Sequence, residues 1–82
     1  MTEIEIKNEI IEKLKSFSKK HLNKDDKSLS RLAYSDLFFE EYARILDEIF
    51  KNNKLEKEYV INIGRKHGAE LHTIFITTND FL

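Results

Sequence analysis

From the N-terminus, Ile6, Ile10, Leu14, Phe17 and His21 recur at spacings of three and four, and Ile11 and Leu22 widen the stripe. That is the period of an amphipathic helix with one buried face. Just upstream, Thr2-Glu3-Ile4-Glu5 has the spacing of a capping box, in which the Thr2 hydroxyl and the Glu5 carboxylate each accept from the other's free backbone N–H. A helix over about 3–21 is predicted, with an acidic first turn and with Lys19 and Lys20 in its last turn, both favourable to the helix dipole. Asn23 to Ser28 has no apolar residue and reads as a connection, with Ser28 or Ser30 as candidate caps. A second stripe follows in Leu37, Phe38, Tyr42, Ile45, Leu46, Ile49 and Phe50, opposite Glu40, Glu41, Arg44, Asp47, Glu48 and Lys51. It predicts a helix over about 30–52, with Ser35 a candidate N-cap, Asp36 in the first turn and Asn52-Asn53 at the end. Leu29 and Leu32 are candidates for an earlier turn of the same helix. Two consecutive stripes joined by a short polar loop predict an antiparallel helix pair.

Beyond Lys57 the composition changes. Tyr59-Val60-Ile61-Asn62-Ile63 and Leu71 to Thr78 are rich in β-branched and aromatic residues, the side chains that pack well on a pleated surface. Between them Gly64-Arg65-Lys66-His67-Gly68 holds both glycines of the chain, as a loop needing positive φ would. Strands over about 58–64 and 70–78 are therefore expected, joined as a β-hairpin, with Tyr59, Ile61 and Ile63 on one face of the first and Ile74 and Ile76 on one face of the second. The fold class so read is α+β: two antiparallel amphipathic helices packed against a C-terminal β-hairpin, in one domain spanning 1–82. Two strands leave open edges, which favours pairing with a second copy or a partner strand.

With 82 residues, one core must serve every segment, and a chain of this size is marginal unless something adds to it. The absence of cysteine excludes disulfides, zinc-thiolate sites and thiol nucleophiles, so a homodimer is the expected supplement. There is no apolar run near the length of a membrane span. Met1 to Glu5 offers no basic region leading into an apolar stretch, and a cytoplasmic protein is expected. The net charge of −1 hides alternating blocks: −3 over residues 1–12, +5 over 13–31, −3 over 32–58 and zero over 59–82. Such polarity steers charged partners and says little about fold.

Candidate chemistry is sparse. No phosphate-binding glycine loop, dinucleotide fingerprint or H-E-x-x-H pattern is present. Glu40 and Glu41 are adjacent and point apart on a helix, so they do not form an acid–base pair. His67, His72 and Glu70 are the one group of imidazoles and carboxylate near each other in sequence, but their spacing across a turn does not set a metal site. No catalytic residue, no metal and no cofactor is assigned. The exposed feature of most interest is the Arg65-Lys66-His67 tip, which together with Lys19, Lys20 and Lys24 would present a basic surface to phosphates or to an acidic partner. The expected function is a small non-enzymatic protein-binding module, a regulator or inhibitor acting by protein–protein contact, of a composition that fits those carried by phages and mobile elements. A nucleic-acid-binding regulator using the basic hairpin tip is the alternative.

One stretch carries a family resemblance. Ser28-Leu29-Ser30-Arg31-Leu32-Ala33-Tyr34-Ser35-Asp36-Leu37, followed by an acidic helix ending at Phe50, resembles the region around the prosthetic-group serine of acyl carrier proteins. The family's Asp-Ser-Leu motif stands here as Ser35-Asp36-Leu37, with an aspartate where phosphopantetheine would be attached and the serine one residue early. Ile76-Thr77-Thr78 resembles the start of that family's last helix. The resemblance implies a degenerate acyl-carrier-like protein.

Overall fold

The computed structural model describes residues 1–22 and 33–77. Its first helix, α1 (Glu3–Leu22), opens on the capping box: Thr2 N–H donates to Glu5 Oε1 at 2.8 Å and Glu5 N–H to Thr2 Oγ1 at 3.2 Å. The second, α2 (Asp36–Asn52), is capped by Ser35, whose Oγ accepts from Phe38 N–H at 3.3 Å. Its other end closes on Asn53, where the backbone N–H and the side-chain amide both donate to the Ile49 carbonyl. Lys54 then adopts a left-handed φ of 54°, and Leu55 N–H reaches back to the Phe50 carbonyl at 3.0 Å. This is the six-to-one bond of a Schellman turn, with Leu55 and Phe50 both packed on the core.

The C-terminal third overturns the hairpin. Residues expected as strands 58–64 and 70–78 form two short helices, α3 (Lys57–Lys66) and α4 (Gly68–Thr77), and no strand occurs among the described residues. The fold class is therefore all-helical, not α+β. Burial gives the physical reason. Val60, Ile63 and Gly64 are buried on α3, and Leu71 and Phe75 on α4 with Ile74 packed against them. These positions are three and four apart, whereas a strand would have buried alternate residues such as Tyr59 and Ile61, and Tyr59 is exposed. The β-branched composition is a weak preference that packing against α1 and α2 overrides.

The two glycines also serve a different purpose from the one expected, since neither has positive φ. Gly64 lies where α3 crosses α2; a Cβ there would come within 2.9 Å of Leu46 Cδ1 and 3.1 Å of Cδ2. Gly68 opens α4 directly after His67, which caps α3, so the two short helices share a single-residue corner. His67 N–H donates to the Ile63 carbonyl, and the His67 carbonyl accepts from Leu71 N–H.

All four helices described contribute to one core. From α1 come Ile6, Ile10, Leu14 and Phe17, all buried as the stripe predicts; from α2 come Phe38, Ile45 and Ile49. Phe38 and Phe75 meet with ring centroids 4.9 Å apart, and Phe17 stacks on Phe75 at 6.1 Å, which ties α1, α2 and α4 together. Ser18 is the one polar residue buried among these, and its hydroxyl has no hydrogen-bond partner among the described residues. No described helix is long and apolar enough to cross a membrane.

Candidate functional site

The Arg65-Lys66-His67 segment is the corner between α3 and α4, not a hairpin tip, and two of its three side chains are engaged by α1. Lys66 Nζ lies 2.9 Å from Glu3 Oε2, and His67 Nε2 donates to the same oxygen at 2.8 Å. One turn on, Lys7 Nζ donates to Glu70 Oε2 at 2.8 Å, while His67 Nδ1 faces Glu70 at 3.9 Å. The His67 hydrogen bond, and after it that of Lys66, holds the Glu3 carboxyl below its ordinary range. Lys7 does the same for Glu70. The first turn of α1, with its free N–H groups, is thus latched to the α3–α4 corner.

This latch also explains why His67, His72 and Glu70 do not form a metal site. The two carboxylates lie off opposite nitrogens of the His67 ring and already meet ammonium groups. His72 points elsewhere, its Nε2 donating to the Ala33 carbonyl at 2.9 Å. No group of three or more metal-ligating side chains converges among the described residues.

On the opposite side of α3 and α4 lies a groove of about 480 Å³. One wall is α2, with Phe38, Phe39, Tyr42, Ala43 and Leu46; the other is Ile61, Gly64 and Arg65 of α3 with Gly68, Ala69 and His72 of α4. Its hollow shape follows from four small residues, Ala43, Gly64, Gly68 and Ala69, set between larger ones. Two of the polar side chains on its walls are engaged within the chain. Tyr42 Oη donates to the Gly64 carbonyl at 2.9 Å, and burial pushes the phenol up to about 12, so it stays a neutral donor. His72 is turned to Ala33 and packs edge-on against Tyr34 at 5.0 Å. Phe39 on the wall is 54% exposed, and outside the groove the apolar surface continues with Tyr34, 69% exposed.

Arg65 stands at the rim. It is exposed and makes no ion pair among the described residues, unlike Arg44, which is held by Glu41 and Glu48. Sequence reasoning picked out Arg65 for its charge and missed the groove beside it. Read at helical period, Gly64, Gly68 and Ala69 would have marked one face of small residues about a turn apart.

The remaining predicted basic residues do not join it. Lys19 and Lys20 are exposed near the far end of α1. The latch grips the first turn of that helix, and sixteen residues of helix put about 25 Å between the two. Lys24 lies outside the described residues, as does the side chain of His21.

The stretch that resembles acyl carrier proteins straddles the start of α2. Ser35 is the N-cap, its hydroxyl oxygen engaged by Phe38 N–H, and Asp36 occupies the first helical position, exposed. A phosphopantetheine ester needs a hydroxyl at that position, so the residues present do not fit the group. Ile76 and Thr77 lie within α4, well after its start at Gly68, and Thr78 lies outside the described residues.

The class that these features define is a small domain, all-helical in its described residues, with an open apolar groove. The chain matches no protein-family model, no curated protein and no solved structure.

Proposed function

We propose that the chain is a small non-enzymatic binding module that acts through protein–protein contact, in the manner of a regulator or inhibitor, and that the α2–α3–α4 groove is its working surface. The observation that carries the reading is the continuous apolar surface formed by the groove floor and by exposed Phe39 and Tyr34. Apolar patches of this kind on small proteins mark interaction sites, and aromatic residues dominate the energetics of such sites. The reading puts its action in the cytoplasm, in line with the cysteine-free composition. The nucleic-acid alternative draws less support, because Lys66 and His67 meet acids of the same chain and Lys19 and Lys20 sit at the far end of α1.

The test compares affinity capture from the native cell by three forms of the protein: unmodified, Ala43→Trp, which fills the groove from an exposed position, and Lys19→Glu with Lys20→Glu. One stoichiometric protein, lost with Ala43→Trp and kept with the double charge change, is the expected result. Capture that survives Ala43→Trp and fails with the lysine changes would overturn it.

A second reading, the degenerate carrier-like protein, is favoured by one observation: the Ser35-Asp36-Leu37 motif falls at the start of α2. It predicts no mass shift on incubation with a phosphopantetheinyl transferase and coenzyme A, because the attachment position is Asp36. A shift located at Ser35 would show that the serine still serves.

A further inference from the structure

We infer that the groove takes an amphipathic helix of a partner protein, with two turns of apolar side chains on the floor and a carboxylate side chain on Arg65. This rests on the groove being the working surface and adds the chemistry of what fills it.

Three observations lead there. First, the described residues offer no strand edge, and the groove meets a partner through side chains. Second, the floor between Phe39 and Leu46 is two turns of α2 long, about 10 Å. That matches the reach of an i, i+4, i+7 stripe on an incoming helix. Of the polar side chains on its walls, Tyr42 and His72 each make a hydrogen bond within the chain, which leaves the Arg65 guanidinium to meet a partner. Third, Arg65 is a cation without an ion-pair partner among the described residues, and it lines the same groove. An apolar surface edged by one unspent guanidinium is complementary to an apolar stripe flanked by Asp or Glu, and a guanidinium binds a carboxylate with two parallel N–H donors. The occupant is a helix and not a lone lipid chain, because exposed Tyr34, packed on His72, carries the apolar surface beyond the groove. A single alkyl chain in the groove would leave it uncovered.

The experiment pans a display library of helical peptides against the full chain and measures the enriched peptides by titration. Peptides with an apolar i, i+4, i+7 stripe and a flanking Asp or Glu are expected. Their affinity should fall roughly five- to tenfold with Arg65→Glu and recover when the peptide acid is changed to Lys. Binding should be lost with Ala43→Trp, and circular dichroism checks that both variants keep the helical content of the unmodified chain. Loss with Ala43→Trp but indifference to Arg65→Glu overturns the carboxylate partner and leaves the groove reading standing. Indifference to both overturns both. Failure to enrich any peptide, with saturable binding of dodecanoate or groove-dependent self-association in sedimentation, identifies a lipid chain or a second copy as the occupant and overturns the inference.

Discussion

The two sides of the α3–α4 unit differ in how completely their groups are used. Toward α1 and the core, apolar side chains are buried and the polar ones are paired: Lys66 and His67 with Glu3, and Lys7 with Glu70. Toward solvent, the same two helices and α2 leave an apolar hollow beside the exposed rings of Phe39 and Tyr34, and an Arg65 with no ion pair among the described residues. A run of basic residues in a sequence is therefore a poor guide to a binding surface. What matters is which cations remain after the fold has taken its share; among the described residues Lys66 is taken by Glu3 and Arg65 is not taken.

The sharpest way to break this contrast is to truncate one ring on each side. Phe75, fully buried between Phe17 and Phe38, should cost about 3–5 kcal/mol as Phe75→Ala, enough to unfold a marginal domain. Phe39→Ala should stay within about 0.5 kcal/mol, because its ring is largely in water. Urea denaturation of both variants checks this, and equal losses would mean that the groove side is core. Next in size, Gly64→Leu should cost about 1–3 kcal/mol by forcing α3 away from Leu46 and Tyr42.

Two smaller changes should stabilise. Ser18→Ala removes a buried hydroxyl with no partner among the described residues and should gain about 1 kcal/mol. Gly68→Ala adds a Cβ that meets nothing within 4 Å at the start of α4 and should gain about 0.5–1 kcal/mol. Thermal melts read both. The latch gives the smallest effect, since its groups are exposed. Glu3 and Glu70 titrate below the ordinary 4.5 when folded, so the unfolded chain takes up protons first. Their contribution is present above about pH 4.5 and is lost as the pH falls through the folded values. NMR titration of the Glu3 carboxyl should show its pKa rising toward 4.5 in His67→Ala.

The legibility of this fold in its sequence ended where local signals ran out. α1 and α2 are long, and each has a cap that the sequence spells out: Thr2 with Glu5, Ser35, and Asn53 at the close. α3 begins at Glu56 with no side-chain cap bond, and α3 and α4 are only ten residues each. In so short a run, Val60, Ile63 and Gly64 at helical spacing are masked by Tyr59 and Ile61, which complete an equally good alternation. The glycines deepened the error, because Gly64 is there for closeness to Leu46 and not for a turn. Arg65 was legible as a candidate, but the groove was not, since its walls come from α2, α3 and α4 and become a surface only when these pack.

The proposed binding surface is the open side of α3 and α4. Amide chemical-shift perturbation of the isotope-labelled full chain, titrated with a peptide enriched as above, tests this residue by residue. The account predicts shifts centred on Phe39, Ala43, Arg65, Ala69 and His72, with Glu3, Lys7, Lys19 and Lys20 unmoved. Shifts centred on the Glu3–His67 latch or on Lys19 and Lys20, with the groove unmoved, would contradict it.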